Sequence, residues 1–189
     1  MPPTLEERII DATLRCVARW GIAKTTVDDV AQEARCGRAT IYRVFDGGKQ
    51  ALLNATLQRE LQRGVNAIDE AVRDLDTLDD VLVAGITTAA RLIADHPARH
   101  LASQEMVDFE RVGRVFDAGA LCVAPHLARF LPPDEVPQAA EWVSRVVLTY
   151  TFNPSSAFDL RDDANARRFA SAYLLPVLRS HSRQELTPA

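Results

Sequence analysis

This chain of 189 residues lacks the sequence features of membrane proteins, secreted proteins and disulfide-rich proteins. No apolar run reaches the length of a membrane span, and the N-terminus has no hydrophobic signal region, so we expect a cytoplasmic protein. The cysteines, Cys16, Cys36 and Cys122, are odd in number and lack metal-ligand spacing, which argues against a disulfide framework and a zinc site. No segment sustains a period-two alternation of apolar and polar residues, so we predict an all-α protein.

Motifs of catalytic sites are missing as well. Residues 46–49, Asp-Gly-Gly-Lys, lack the leading glycine and the preceding strand of a phosphate-binding loop. His96 and His100 have a spacing that can bind a metal from a helix, but Pro97 lies between them and no carboxylate pattern supports them. We therefore predict that the protein is not an enzyme, and we predict neither a cofactor nor a metal site.

The net charge of −4 is distributed unevenly. Residues 1–63 carry a charge of +2 and residues 64–189 a charge of −6. Between Arg35 and Lys49 there are four basic residues and one acidic residue. A local basic surface on an acidic protein can bind phosphate while non-specific binding stays limited, although a solvated charged surface is the alternative.

The first part of the chain shows three short apolar patterns at helical spacing. Thr4 followed by Glu7 forms a capping box at a helix start, and Gly21 lets the chain turn at the helix end. Thr26 with Asp29 repeats the capping pattern. The helices predicted here cover residues 5–20, 27–34 and 38–45.

The second and third of these helices are separated by a tight break at residues 35–37, Arg-Cys-Gly. A helix, a short break and a second helix form the helix-turn-helix pattern. The third helix has an apolar side formed by Ile41, Val44 and Phe45. Its opposite side carries Arg and Thr with Tyr between the two sides, a composition that suits a DNA major groove.

The residues of this region resemble the signature of the tetracycline-repressor (TetR) family. The matching residues are Thr25, Thr26, Val27, Val30, Ala31, Thr40, Ile41, Tyr42, Arg43, Phe45, Lys49, Leu52 and Leu53. The resemblance implies a DNA-binding head over residues 1–48 and a ligand-sensing and dimerisation domain over residues 49–189. It also implies that this region contacts DNA, and we expect the contacts to come from Thr26, Arg38, Ala39, Thr40, Tyr42, Arg43 and Lys49, with Arg35 as a further candidate.

At the turn, the chain departs from the family pattern. Arg35 stands where the family has glycine, and Gly37 stands where it has a capping serine. Because a residue at the turn can require a positive φ, Arg35 would cost stability there. The sequence leaves two interpretations open, since the Arg35 side chain could reach a DNA phosphate or point to solvent.

The remainder of the chain shows further helical patterns interrupted by prolines. We predict a helix over 49–73 and a second that begins at the Thr77–Asp80 cap and ends near residue 95. Further helices are predicted over 98–105, 107–131, 134–152 and 162–179. Aromatic side chains are the candidates for lining a ligand pocket, with ordinary core as the alternative: Phe109, Phe116, Trp142 and Phe152. The last two helices form the dimer interface by resemblance, and the candidates there are Val143, Val147, Tyr150, Phe169, Tyr173 and Val177.

These observations together predict a sequence-specific transcriptional regulator that binds double-stranded DNA as a homodimer. By resemblance, it is a repressor that leaves an inverted-repeat operator when a small apolar or amphipathic ligand binds the C-terminal domain. One alternative is a DNA-binding adaptor whose C-terminal domain binds a protein partner and lacks a cavity. Another is a helical metal-binding protein or enzyme that contains a helix-turn-helix outline.

Overall fold

The computed structural model describes residues 2–96, 109–153 and 157–181. All regular elements within these ranges are helical, which confirms the predicted fold class. The helices are α1 (Leu5–Trp20), α2 (Val27–Ala34), α3 (Arg38–Val44), α4 (Gly48–Val72), α5 (Leu78–Asp95), α6 (Phe109–Leu127), α7 (Val136–Phe152) and α8 (163–181). The helix predicted over 98–105 lies outside the described residues.

The described chain divides into two compact units. The first contains the described residues up to Arg63 together with His96, and the second contains residues 64–95 and those from 109 onward. Helix α4 contributes residues to both units. The functional boundary between residues 48 and 49 stays a prediction.

Side-chain caps set the starts of α1 and α2. Thr4 Oγ1 accepts a hydrogen bond of 3.2 Å from the Glu7 amide, and the Thr4 amide donates one of 2.7 Å to Glu7 Oε2. Thr26 and Asp29 form the same reciprocal pair at the start of α2. These contacts satisfy amides that have no partner within the helix, and they confirm both predicted capping boxes.

The first unit is held together by an apolar core. Ile9 and Ile41 are completely buried, and Val30 and Leu52 are nearly so. Burying side chains of this size stabilises the unit by about 1.5–3 kcal/mol each. The core therefore fixes the apolar side of α3, a helix too short to be stable alone.

The second unit packs α5 to α8 around a larger core. Gly119 allows α6 to approach α7 closely, because a Cβ there would collide with Ser144 Oγ and lie 3.0 Å from Leu148 Cδ1. Exposed ion pairs also join α8 to α5, as in the 2.9 Å contact between Arg167 and Asp80. Each such pair contributes little to stability, so the packed core sets this arrangement.

Two prolines in the second unit shape the helices that contain them. The helix predicted to reach residue 131 ends at Leu127, soon after Pro125, whose nitrogen cannot donate a helical hydrogen bond. Helix α8 combines Asp163–Phe169, a π-helical turn over Ala170–Leu174 and Leu175–His181. The wider turn directly precedes Pro176, where a regular helix would place the proline ring against the carbonyl four residues earlier.

Candidate nucleic-acid interface

The turn between α2 and α3 is closed by a left-handed residue. Arg35 has φ 54° and ψ 51°, and its amide donates to the carbonyls of Ala31 and Gln32. The Cys36 amide also donates to Ala31, at 3.0 Å. These bonds satisfy carbonyls at the end of α2, so the positive φ expected from the sequence is required by the geometry of the turn.

Helix α3 presents a polar side to solvent. Its apolar side is anchored by Ile41, with Phe45 directly after the helix, and both are buried. Residues predicted to meet DNA lie on the opposite side, where Arg38, Ala39 and Arg43 are exposed. Thr40 is half-buried. The structure therefore exposes much of the surface that the sequence assigned to base contacts, while a DNA role for these residues stays a prediction.

Arg38 is held by two neighbours on the protein surface. Its Nη1 lies 3.2 Å from Asp28 Oδ2, and its Nη2 donates a 3.3 Å hydrogen bond to the Tyr42 hydroxyl. The guanidinium also lies over the Tyr42 ring, 5.5 Å from its centre. The hydrogen bond to Tyr42 and the charge of Asp28 raise the pKa of Arg38 above its ordinary value. The side chain is thus positioned before any DNA is present.

Tyr42 depends on a glycine at the start of α4. A Cβ on Gly48 would lie 2.8 Å from Tyr42 Cε1, closer than van der Waals contact permits. Gly48 also has φ +61°, a conformation that other residues rarely adopt. Both observations require glycine at position 48. The Tyr42 ring occupies the space beside it, and Tyr42 remains 44% exposed.

Thr26 and Lys49 have partners within the unit. The Thr26 hydroxyl donates a 2.6 Å hydrogen bond to Asp29 Oδ2, and this contact lowers the pKa of Asp29. Lys49 Nζ donates a 3.2 Å hydrogen bond to the Ala23 carbonyl in the loop before α2. To contact a phosphate, the Lys49 ammonium would therefore have to break this hydrogen bond or donate to the phosphate in addition to it.

Asp28 is a candidate that the sequence interpretation missed. It lies ten positions before Arg38, on a different helix, so no local periodicity connects the two residues. The tight turn brings the second position of α2 beside the first position of α3. A helix-turn-helix interpretation that compared side chains across the turn could have found the pair.

The second unit contains a small apolar cavity of ≈ 100 Å³. Apolar side chains of α4 to α7 form most of its wall, and Gly85 lies there with nothing within 4 Å of a Cβ built on it. The polar side chains in the lining are Cys122, His126 and Ser144. Burial raises the pKa of Cys122 to about 11, so this group stays a neutral thiol. The wall of the cavity is thus predominantly apolar, and its volume is smaller than the roughly 300–1,000 Å³ of typical ligand pockets.

The aromatic residues predicted to line a pocket lie elsewhere in the second unit. Phe116, Trp142 and Phe152 are half-buried and do not line this cavity. Phe116 instead lies beneath the Arg145 guanidinium, 5.4 Å from its ring centre. Phe109 begins α6, and its side chain lies outside the described part of the chain. Contact of these residues with a ligand stays a prediction.

The predicted dimer-interface residues differ in exposure. Val143, Val147 and Phe169 are buried inside the protomer, and both valines line the cavity. Tyr173 and Val177 are 49% and 40% exposed. A partner subunit could therefore reach Tyr173 and Val177 directly. Tyr150 is half-buried and packs against Phe169, with 4.8 Å between the ring centres.

Among the described residues, no group of three or more His, Cys, Asp or Glu side chains could hold a metal ion. None of the described helices combines the length and hydropathy that crossing a membrane requires.

Comparison with known proteins places residues 9–56 within the family described as bacterial regulatory proteins of the tetR family. A relative from Mycobacterium tuberculosis, named as an uncharacterised HTH-type transcriptional regulator, is 29% identical over 178 residues, covering 91% of this chain and 84% of the relative. The fold is similar to that of the TetR family repressor AlkX from Dietzia, with a TM-score of 0.66, 20% identity and coverage of 92% and 97%. It is also similar to FadR from Bacillus subtilis in complex with stearoyl-CoA, with a TM-score of 0.62, 17% identity and coverage of 92% and 97%.

Proposed function

Because this chain belongs to the tetracycline-repressor family of DNA-binding transcriptional regulators, we propose that it is a repressor that binds an inverted-repeat operator as a homodimer. The main support is the exposed side of α3, which carries Arg38, Ala39 and Arg43 on a helix anchored by buried Ile41. A short helix held in this way can enter a major groove without losing its packing. Two such helices in a two-fold dimer match an inverted repeat.

Each candidate DNA-binding residue receives a role from its chemistry. Arg38 reads a guanine edge, and Thr40 and Arg43 reach neighbouring bases. Ala39 meets a thymine methyl group. The residues assigned to phosphate contacts are Thr26, Tyr42 and Lys49, while the Arg35 side chain either reaches a phosphate or points to solvent.

The first test is a binding selection from random duplex DNA at near-physiological salt. We expect an enriched inverted repeat. Arg38→Ala should then relax preference at one base position by about 1–3 kcal/mol. Lys49→Ala should weaken binding to all sequences and flatten the salt dependence. Folded dimeric protein that enriches no sequence would contradict the proposal.

We propose that the cavity of the second unit is the effector site. Its apolar wall favours a ligand that is apolar over most of its surface. The polar atoms of the lining already have partners, since Ser144 Oγ donates to the Phe116 carbonyl and His126 Nε2 lies 2.9 Å from Asp69 Oδ1. The names of two proteins of similar fold refer to n-alkanes and to stearoyl-CoA. Both named molecules contain an alkyl chain and the cavity is small, so short straight-chain fatty acids and alkanes are the first effectors to test. The presence of a cavity also favours a small-molecule effector over the adaptor alternative.

Two glycines offer a matched test of this site. Gly85 lies at the cavity wall in α5, whereas Gly64 lies in α4 and is not part of the lining. At both glycines, no atom lies within 4 Å of the position that a Cβ would occupy. Gly85→Leu should fill the cavity and abolish release of operator by an alkyl ligand, and Gly64→Leu should leave release unchanged. Equal ligand responses in the two variants would place the effector elsewhere.

The dimer proposal makes a separate prediction. Tyr173 and Val177 present apolar surface on α8, whose other side packs into the core. Tyr173→Arg would place a charge in the proposed interface, where burying an unpaired charge is costly. Sedimentation should then show a shift from dimer to monomer with helical content retained. An unchanged dimer would show that the interface lies elsewhere.

A further inference from the structure

The carboxylate of Asp28 lies beside the side chain proposed to read the operator. Arg38 Nη1 is 3.2 Å from Asp28 Oδ2 and 3.4 Å from Oδ1, so both oxygens face the same nitrogen. Tyr42 contacts the other terminal nitrogen and lies under the guanidinium. Both ends of the guanidinium are therefore held, while the side chain remains 59% exposed.

This arrangement contributes little to folding. The side chains of Asp28 and Arg38 are 66% and 59% exposed, and exposed ion pairs contribute about 0–1 kcal/mol to stability. An acidic residue on a surface that meets DNA also opposes binding, because it repels phosphate. A function in recognition explains both observations better than a function in stability.

The physical problem at this position is the choice between base and phosphate. A free arginine is long and flexible, and it can neutralise a nearby phosphate without reading sequence. A guanine contact instead needs two donors held in one plane. Asp28 holds the guanidinium at Nη1. Tyr42 holds it at Nη2 through its hydroxyl and contacts its face through the ring. The negative charge of Asp28 also disfavours a phosphate beside the same guanidinium.

We propose that Asp28 is a specificity-determining residue that positions Arg38 for a guanine edge and prevents it from becoming a backbone contact. Asp28 acts through Arg38 and does not itself touch a base. Asp28 lowers the affinity for DNA of every sequence, and it increases the difference in affinity between the operator and other sequences. The inference rests on the proposed base contact by Arg38.

Glu33 provides the matched control for Asp28. It lies on the same helix, α2, and it forms a similar surface ion pair, with 2.6 Å between Arg15 Nε and Glu33 Oε1. Glu33→Gln removes the same charge from the first unit without touching Arg38. A general effect of net charge would therefore appear in both variants, whereas an effect on Arg38 would appear only in Asp28→Asn.

The experiment measures dissociation constants for the selected operator, for operators changed one base pair at a time, and for a random-sequence duplex. The proteins are wild type, Asp28→Asn, Glu33→Gln, Arg38→Ala and the double variant Asp28→Asn/Arg38→Ala. We expect Asp28→Asn to reduce discrimination at one position by about threefold to tenfold, part of what a bidentate contact supplies. The Asp28→Asn variant should bind random DNA more tightly. The slope of its log affinity against log salt concentration should become steeper by about 0.9, the value for one additional phosphate contact.

The double variant decides how Asp28 acts. If it acts through Arg38, Asp28→Asn should cause no further loss of discrimination when Arg38 is already alanine. The proposal is overturned if Asp28→Asn leaves that position unchanged while Arg38→Ala relaxes it, or if Glu33→Gln has the same effect as Asp28→Asn. If Arg38→Ala relaxes no position although an operator is enriched, the assigned base contact fails, and the role of Asp28 fails with it.

Discussion

Arg35 provides a test that separates backbone strain from DNA binding. It is the only non-glycine residue with positive φ among the described residues, and it closes the turn before α3. Its side chain is exposed, so replacing it removes no core packing. We expect Arg35→Gly to stabilise the protein, because glycine adopts this backbone conformation without steric strain.

The magnitude follows from two opposing contributions. A left-handed conformation costs a residue with a Cβ about 1–2 kcal/mol. Glycine recovers that cost but loses about 0.5–1 kcal/mol more conformational entropy on folding. The expected net gain is about 0–1.5 kcal/mol, centred near about 0.75 kcal/mol, which raises Tm by about 2–3 °C for a protein of this size.

Arg35→Ala separates the charge from the backbone strain. Alanine also removes the guanidinium but retains the strain, so its Tm should not exceed that of the wild type. If Arg35 reaches a phosphate, both variants should bind operator more weakly, with the salt slope reduced by about 0.9 per contact. If the side chain points to solvent, neither salt slope should change. The measurements are thermal unfolding and operator titration at several salt concentrations.

A decrease in the stability of Arg35→Gly would refute the strain argument. It would mean that the arginine side chain contributes more to the folded state than its exposure indicates. Similar gains in Arg35→Gly and Arg35→Ala would also refute it, because only glycine relieves the positive φ.

Three further predictions concern particular residues. Gly48→Ala should destabilise the first unit by about 1–3 kcal/mol and reduce operator affinity, since its methyl group would displace Tyr42; unchanged thermal unfolding would contradict this. Gly37→Ser should stabilise α3 by a few tenths of a kcal/mol, because Gly37 caps it without a side-chain hydrogen bond, and a lower Tm would contradict this. Hydrogen bonds from Arg161 lower the pKa of Asp159 to about 2, so its contribution is present above the unfolded pKa of about 3.9 and is lost as the pH falls towards 2. Asp159→Asn should remove that part of the acid dependence in unfolding titrations; an unchanged acid profile would contradict it.

Local sequence patterns were sufficient to predict the positions of α1, α2 and α3. The pairs Thr4–Glu7 and Thr26–Asp29 act within one helical turn, so their spacing predicts the starts of α1 and α2. The family resemblance covers the same region and predicts its function. The end of α6 was less predictable, because Pro125 is compatible with either a kink or a helix end.

The sequence by itself determined the helical fold class, the helix-turn-helix and the positive φ of Arg35, because each depends on residues close together in the chain. Tertiary structure alone decided that Arg38 meets Asp28, that Tyr42 needs the space at Gly48, and which apolar residues line the cavity. An apolar pattern shows which side of a helix is buried but not which helix packs against it. Val143 illustrates this limit, since the sequence shows only that it lies on an apolar side of its helix, whereas the structure shows that it lines the cavity.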